Sequence, residues 1–179
     1  VAPQVVSARS CAHLLNIDKT SFIELGADRV ADAVAAKAIF GAPVVVVDFG
    51  TATNMEVIDK DGVFVGGVIA PGVESSMRSL MSRAALLRAV ELEDPGVAIG
   101  RDSSEAIQIG VVSGEAARVD GLVERIQAEL GYKTKVVATG GLAHRIAPLS
   151  HTITEVDVEL TLQGLRLIYN ELKKCDNQR

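Results

Sequence analysis

The sequence predicts an α/β domain whose sheet begins with an antiparallel meander. β-branched runs at 44–48, 54–58 and 63–69 are separated by only a few residues, so they can pair only as antiparallel neighbours. Helical periodicity then alternates with two further strand-like runs. The chain has 179 residues, of which 48% are hydrophobic and 23% are charged. This composition excludes a disordered chain, a collagen-like repeat and a disulfide-stapled miniprotein.

The first half of the predicted domain comes from residues 27–69. Residues 27–40 are rich in alanine and place apolar side chains at helical spacing, and Gly-Ala-Pro at 41–43 ends that helix. A buried strand follows at 44–48. A tight Gly-Thr-Ala-Thr connection leads into the second strand, and Asp-Lys-Asp-Gly at 59–62 is typical of a hairpin turn into the third.

The second half alternates helices with single strands. We expect a helix from 71 to about 87 and a longer one from 102 to 130, in which Asp102 and Glu105 have the spacing of a capping box. The remaining elements are a strand at 135–138, a helix after 140–141, a weaker strand at 151–156 and an amphipathic helix at 159–174. This order matches one ribonuclease-H-like half-domain, the unit that occurs twice in the actin, sugar-kinase and Hsp70 group of actin-like ATPases.

Net charge and apolar patterning exclude nucleic acid and membrane as partners. The formal net charge is −5 and the pI is about 5.2, so the sequence offers no basic stripe for nucleic acid or for an anionic membrane surface. The longest apolar runs, such as 43–47, are far shorter than the ~20 residues of a membrane span. Cys11 and Cys175 lack metal or redox spacing, which favours a reducing compartment and a cytoplasmic location.

Two glycine-containing loops are candidates for phosphate and nucleotide binding. The Asp-Phe-Gly-Thr-Ala-Thr segment at 48–53 leaves a buried strand, and there a glycine lets backbone N–H groups approach an anion while the carboxylate can hold a cation. The Thr-Gly-Gly-Leu-Ala segment at 139–143 leads from a strand into a helix, whose start offers free N–H groups. An ordinary hairpin and an ordinary strand-to-helix turn are the alternatives. Both strands end at the same cleft, which favours binding.

Two further segments have both a functional and a purely structural explanation. The Gly-Ala-Asp-Arg segment at 26–29 opens a helix, where Asp28 can accept a hydroxyl proton and Arg29 can bind a carboxylate. Both residue types are also common at a helix start and on a surface. The Gly-Gly-Val-Ile-Ala-Pro-Gly segment at 66–72 is either a loop over a ligand or a strand-to-helix turn.

The long helix carries one face almost without side chains. Gly110, Gly114, Ala117 and Gly121 recur at steps of four, three and four residues. Because a glycine inside a helix costs about 1 kcal/mol relative to alanine, this face needs a packing reason. Close approach to the sheet and close approach to a partner subunit both explain it.

Five motifs in order resemble the type III pantothenate kinase family. They are the segments at 26–29, 48–53, 66–72 and 139–143, together with Leu-Thr-Leu-Gln-Gly-Leu at 160–165. The resemblance implies an enzyme that transfers the γ-phosphoryl group of ATP to the primary hydroxyl of pantothenate. That reaction gives 4'-phosphopantothenate, in the first step of coenzyme A biosynthesis. It also implies an actin-like fold, a homodimer, a divalent cation (Mg) and a monovalent cation (K or NH4).

The resemblance implies a role for each residue that matches a motif. The residues implied in pantothenate binding are Gly26, Ala27, Asp28, Arg29, Ser103 and Lys19. Those implied in ATP binding are Gly50, Thr51, Gly140 and Gly141, and Asp48 is the implied ligand of the monovalent metal ion. Asp28 is the implied catalytic base. Ser103 stands where the family usually has a threonine, and Lys19 where it usually has an aromatic residue.

The start of the chain departs from the family pattern. The family's first lobe carries an Asp-x-Gly-Asn-Thr phosphate loop that residues 1–24 do not supply. We therefore expect 1–25 to be a remnant of that lobe or a linker from it, 26–174 to be the second domain and 175–179 to be a tail. Because phosphoryl transfer needs charge neutralisation from both sides of the cleft, a chain without that loop should bind ATP poorly and turn over very slowly or not at all.

The resemblance implies an ATP-dependent pantothenate kinase. One alternative is a catalytically inactive half that binds a ligand or forms a dimer through the helix at 102–130. Another is a different phosphotransferase of the actin-like group, for which the segment at 26–29 would have no clear role. Retention of Asp28, Arg29 and Asp48 together with Ser103 favours the enzyme.

Overall fold

The computed structural model describes residues 5–17, 20, 22–83 and 90–177. The helices are α1 (Ala12–Leu15), α2 (Ala27–Phe40), α3 (Val73–Arg83), α4 (Ser103–Gln108), α5 (Gly114–Leu130), α6 (Ala143–Ile146) and α7 (Leu160–Asn177). The strands are β1 (Val44–Phe49), β2 (Ala52–Ile58), β3 (Phe64–Pro71), β4 (Lys135–Thr139) and β5 (Glu155–Val156). A π-helical turn at Ile109–Ser113 joins α4 to α5, and a 3₁₀ turn at Ala147–Leu149 follows α6.

The strands form one sheet with the order β3-β2-β1-β4-β5. β2 is antiparallel to both β1 and β3, which confirms the predicted meander. β4 is parallel to β1, and β5 is parallel to β4. The helices between β3 and β4 supply the crossover that a parallel pair requires. The ends of β1 and β4 therefore lie side by side at one edge of the sheet.

Helices cover both faces of this sheet. Val44 and Val46 of β1 belong to a buried cluster with residues of α2 and α7. Val45 and Val47 belong to a second buried cluster with residues of α5 and α6. Because successive strand residues point to opposite faces, the four-valine run is buried on both sides. It behaves as a central strand of a three-layer domain.

The helices α2 and α7 approach each other closely at Gly164. A Cβ added to Gly164 would lie 2.1 Å from the carbonyl oxygen of Ala31. One turn earlier in α7, the hydroxyl of Thr161 donates a hydrogen bond of 2.6 Å to the buried carboxylate of Asp32. The Leu-Thr-Leu-Gln-Gly-Leu motif thus holds α7 against α2, because only glycine allows this distance.

The predicted helix from 102 to 130 is interrupted. Its start is confirmed, since Asp102 caps α4 by accepting hydrogen bonds from two backbone N–H groups. The π-helical turn then replaces the expected continuous α-helix. Buried Ile107 and Val112 are five residues apart, and a π turn, which bonds residues five apart, keeps both on one side of the helix. The usual spacing resumes with Ala116 and Val119.

The fifth strand is shorter than the expected 151–156, because the residues before it bind α5 instead. Asp120 accepts hydrogen bonds from the hydroxyls of Ser150, at 2.5 Å, and Thr152, at 2.6 Å. Its other oxygen lies 2.7 Å from Nδ1 of His151. These contacts hold the segment on α5, so pairing with β4 starts only at Glu155.

The segment before α2 contributes to the core. Ala8, Cys11 and Leu15 are fully buried in the cluster under α2 and α7.

The helix predicted at 71–87 corresponds to α3, which is described from Val73 to Arg83. The last four residues of the predicted helix, 84–87, lie outside the described part of the chain. Among the described helices, none combines the length and apolar character needed to cross a membrane.

Candidate functional site

Polar side chains gather where β1 and β4 end, on the sheet face that α2 covers. Asp48 of β1 is paired in register with Thr139 of β4 and with Asn54 of β2. Glu56 follows Asn54 by two residues in β2 and therefore points to the same face. Thr139 and Glu56 are fully buried. The same face is filled by valines deeper in the sheet, so a polar patch at this edge needs partners or ligands.

The first turn of α2 lies over this polar patch. The side chain of Arg29 crosses to β2, where Nε donates a hydrogen bond of 2.6 Å to Oε1 of Glu56. Nη2 donates a second bond, of 3.1 Å, to the carbonyl oxygen of Met55. A Cβ on Gly67 of β3 would lie 2.6 Å from Nη2, so this glycine leaves room for the guanidinium. Asp28 is exposed beside Arg29.

Three carboxyl groups in this region have raised pKa values. The pKa of Asp32 rises from 3.8 to about 7, mainly through burial, to which the charges of Asp48 and Asp28 add, while the hydrogen bond from Thr161 lowers it. Burial also raises the pKa of Glu56 to about 8, although the hydrogen bond and charge of Arg29 lower it. Burial, followed by the charge of Asp28, raises the pKa of Asp48. The region therefore favours additional positive charge, carried by protons or bound cations.

The two predicted glycine loops pack against each other at the end of β1. A Cβ on Gly140 would lie 2.4 Å from Oδ1 of Asp48 and 2.7 Å from the carbonyl oxygen of Phe49. Gly140 also has a φ of +90°, which disfavours any larger residue. Gly50, in the other loop, lies against Oδ2 of the same aspartate. The carboxylate of Asp48 thus sits between the two loops.

A pocket of about 240 Å³ opens beside these loops. It is lined by Phe49, Gly50, Thr51, Glu74, Ser75, Arg78, Gly141 and Leu142. The start of α3 forms one wall, because Ser75 donates a hydrogen bond of 2.8 Å to the carbonyl oxygen of Thr51. The guanidinium of Arg78 in this pocket is paired with the carboxylate of Glu74 at 3.1 Å. Glycine backbone in a concave site nevertheless allows a phosphate group to approach closely.

Most of the predicted site residues meet at this end of the molecule. The segment at 26–29 starts α2 over the polar patch, and the loops at 48–51 and 139–141 border the pocket. Ser103 is exposed at the start of α4, and among the described residues no hydrogen bond joins it to the other predicted site residues. Lys19 lies outside the residues that the structure describes.

Sequence analysis did not single out Asp32 and Glu56. Each had a detectable signal. Asp32 follows Asp28 by one helical turn in a segment of alanine and valine, and Glu56 interrupts the buried run of β2. A charged residue at a core position is rarely fully buried unless it is paired. We therefore include Asp32 and Glu56 among the candidate site residues.

The donor atoms near Asp48 fit a cation that prefers oxygen. In the described part of the chain, no three His, Cys, Asp or Glu side chains are grouped to hold a metal ion. Asp48 nevertheless has a half-buried carboxylate, and the buried hydroxyl of its neighbour Thr139 has no hydrogen-bond partner. Oxygen-only donors of this kind suit hard cations. Asp48 and Thr139 are the residues that would hold such an ion.

Comparison with known proteins identifies the family. The model of the type III pantothenate kinase family matches residues 1–125. The chain belongs to the type III pantothenate kinase family. It is 49% identical to the type III pantothenate kinase of Thermomicrobium roseum over 151 residues, which are 84% of this chain and 58% of that protein. It is also 49% identical to that of Roseiflexus sp. over 170 residues, 94% and 66% of the two chains. The chain thus spans less than two thirds of these relatives.

Solved structures agree with this family in fold. A putative Baf family transcriptional activator from Campylobacter jejuni superimposes with a TM-score of 0.60 at 23% identity, over 87% of this chain and 68% of that one. The activator of 2-hydroxyisocaproyl-CoA dehydratase from Clostridium difficile, solved with bound ADPNP, gives 0.57 at 17% identity, over 85% and 69%. The predicted actin-like, ribonuclease-H-like fold of this pantothenate kinase family member is confirmed.

Proposed function

We propose that this chain forms one side of a site that phosphorylates pantothenate with ATP. The observation that carries the proposal is the position of Asp28, Asp48 and both glycine loops at the same end of the sheet. In the reaction, the bond from the γ-phosphorus to the bridging oxygen of ADP breaks as the pantothenate hydroxyl oxygen bonds to phosphorus. The hydroxyl proton must leave, and it leaves to the carboxylate of Asp28.

The start of α2 supplies the pantothenate side of this site. Asp28 is exposed and therefore accessible to a substrate hydroxyl. Gly26 and Ala27 precede it, so this part of the surface carries little side chain. Arg29 is held on β2 and offers its remaining N–H groups to a substrate oxygen. We assign Ser103 and Lys19 to the substrate site only because they match positions of the family motif.

The two glycine loops supply the ATP side. Gly50 and Thr51 follow β1 at the pocket, where the absent side chain of Gly50 gives a phosphate access and the hydroxyl of Thr51 can bind a phosphate oxygen. The N–H of Gly50 itself donates to the carbonyl oxygen of Ala52. Gly140 and Gly141 bring the second loop against the first, and Gly141 also lines the pocket. A triphosphate in this pocket would meet glycine backbone on one side and the side chains of Ser75 and Arg78 on the other.

Cations complete the charge balance of the site. Asp48 and Thr139 would hold a monovalent cation, because their oxygens face a region that favours positive charge. A magnesium ion bound with ATP would neutralise the phosphate oxygens. Potassium or ammonium at Asp48 would leave the carboxylate of Asp28 as the free base.

The assembly that we propose is a cytoplasmic homodimer. Among the described residues, a Cβ on Gly110 or Gly121 would meet nothing within 4 Å, and one on Gly114 would meet only the backbone oxygen of Ile109. The glycine face of the π-helical turn and α5 therefore does not serve close packing on the sheet. A second copy of the chain explains why the helix tolerates these glycines.

The test is a coupled assay of ADP release with ATP, magnesium, potassium and pantothenate. We expect Asp28→Asn to lower the rate by about 10²- to 10⁴-fold while nucleotide affinity stays unchanged, because only the proton acceptor is lost. Asp61→Asn, in the exposed turn between β2 and β3, is the matched control. Pantothenate-dependent ADP release that is equal in both variants would remove Asp28 from the mechanism. A chain that binds neither substrate would contradict the proposed function.

A further inference from the structure

The contact between Arg29 and Glu56 is built from three elements. Arg29 comes from α2, Glu56 and Met55 from β2, and Gly67 from β3. Two of the guanidinium N–H groups are fixed, one by the carboxylate at 2.6 Å and one by the carbonyl oxygen of Met55 at 3.1 Å. The absent side chain at Gly67 leaves the space that the guanidinium occupies. The arrangement determines both the position and the plane of the guanidinium.

Packing alone does not explain a glutamate at this position. Glu56 is fully buried, and its second oxygen, Oε2, has no hydrogen-bond partner among the residues that the structure describes. Its neighbour on the same face of β2 is Ile58, an apolar residue whose burial leaves no polar atom without a partner. Replacing a buried ion pair with apolar residues of similar volume is often neutral or stabilising. The pair therefore serves something other than stability.

We propose that Glu56 is a positioning residue that fixes the guanidinium of Arg29 for contact with the bound substrate. This inference rests on the proposed function, since the substrate is pantothenate. A guanidinium has five N–H donors, and two are used here, so three remain for an oxygen of the ligand. Holding Arg29 in place before binding removes the rotamer entropy that a free arginine would lose.

The first experiment compares two substitutions of Glu56 by equilibrium dialysis of the full chain with radiolabelled pantothenate. Glu56→Met keeps the volume and removes the acceptor, and we expect it to weaken binding about 10- to 100-fold. Glu56→Gln keeps an acceptor for Nε, and we expect it to restore affinity to within about threefold of the unsubstituted chain. Glu129→Met, at an exposed position of α5, is the control. Equal affinities for the Met and Gln variants would overturn the proposal.

A double-mutant cycle separates positioning from a general structural role. If Glu56 acts through Arg29, then Glu56→Met should cause no further loss of affinity once Arg29→Ala is present. A structural role predicts the same loss in both backgrounds, and that result would overturn the proposal. Circular dichroism of each variant shows which ones are folded and enter the cycle.

A measurement on the unsubstituted chain keeps the inference testable if Glu56→Met does not fold. In ¹⁵N-arginine spectra, we expect one Nε–H signal, absent in Arg29→Ala, to exchange slowly with water and to shift when pantothenate is added. Exchange as fast as that of exposed arginines would overturn the inference. A slowly exchanging signal that pantothenate does not shift, with no pantothenate bound by dialysis, would instead contradict the proposed function.

Discussion

Asp32 shows how a single buried residue links the site to the stability of the domain. Its side chain is fully buried, and within the described part of the chain only one of its two oxygens has a partner, the hydroxyl of Thr161. The charged groups around it are Asp28, Arg29 and Asp48. A carboxylate in such a place retains its proton well above the pH at which an exposed one loses it.

The raised pKa of Asp32 predicts a pH-dependent stability. Between the unfolded value of 3.8 and the folded value of about 7, the folded chain binds the proton that the unfolded chain has released. The free energy of unfolding should therefore fall as pH rises through this window. Asp32→Asn carries no charge and still offers an oxygen to Thr161, so it should flatten this fall. Urea denaturation at pH 5 and pH 8 measures the difference.

Asp61→Asn, at an exposed position, is the control for Asp32→Asn. Its free energy of unfolding should depend on pH with the same slope as that of the unsubstituted chain. Glu56 contributes a fall of the same sign, because burial raises its pKa as well, so some slope should remain in Asp32→Asn. Equal slopes for Asp32→Asn and the unsubstituted chain would show that Asp32 is ionised in the folded state.

The sequence predicted the exposed and loop residues of the candidate site better than its buried ones. The loops around Gly50 and Gly140 were identifiable, because a glycine beside a strand end has a recognisable backbone role. The contact of Arg29 with Glu56 joins residues 27 positions apart. No local pattern specifies that pairing, since it depends on how α2 crosses the sheet.

At the scale of elements, the packing of α7 on α2 depends on Gly164. A Cβ there would lie 2.1 Å from the carbonyl oxygen of Ala31 and 2.5 Å from its carbonyl carbon. Both are backbone atoms, so the two helices must move apart. We expect Gly164→Ala to lower the free energy of unfolding by about 1–3 kcal/mol, as measured by urea denaturation.

A second substitution in α7 shows whether the effect of Gly164→Ala is specific. Leu162 is 68% exposed in the same helix, and Leu162→Ala should change the free energy of unfolding by less than about 0.5 kcal/mol. Equal effects of the two substitutions would mean that α7 does not pack on α2 as described.

Element boundaries were predictable where the chain itself sets them and not where tertiary contacts do. The bounds of α2 match the expected 27–40, because Gly41 and the following proline end the helix locally. The π-helical turn at Ile109–Ser113 was not expected, because it depends on the burial of Ile107 and Val112, which are five residues apart. The short β5 likewise depends on Asp120, some 30 residues earlier, through its bonds to Ser150 and Thr152.

At the scale of the whole molecule, the described domain presents two surfaces that this chain does not complete. One is the edge of the sheet with the pocket and the polar patch, where the proposed reaction needs charge on both sides of a cleft. The other is the glycine face of the π-helical turn and α5, which no described residue covers. The functions that we propose for the two surfaces, catalysis and assembly, can be tested separately.

The glycine face predicts a dimer that a single larger side chain disrupts. Gly121 lies in the middle of α5 with open space beyond it, so Gly121→Leu should fold and should fill the space that a second copy needs. We expect sedimentation velocity to show a dimer for the unsubstituted chain and a monomer for Gly121→Leu. Glu129→Leu, exposed on the same helix but off the glycine face, should remain dimeric.

Thermal unfolding of Gly121→Ala completes this test, because the two roles of the glycine predict opposite changes. In a monomer, alanine should raise stability by about 1 kcal/mol, since it is the better helix former and has room. In a dimer with close helix contact, the added methyl group should instead lower stability, and the loss should depend on protein concentration. A monomeric unsubstituted chain that gains stability from Gly121→Ala would contradict the proposed assembly.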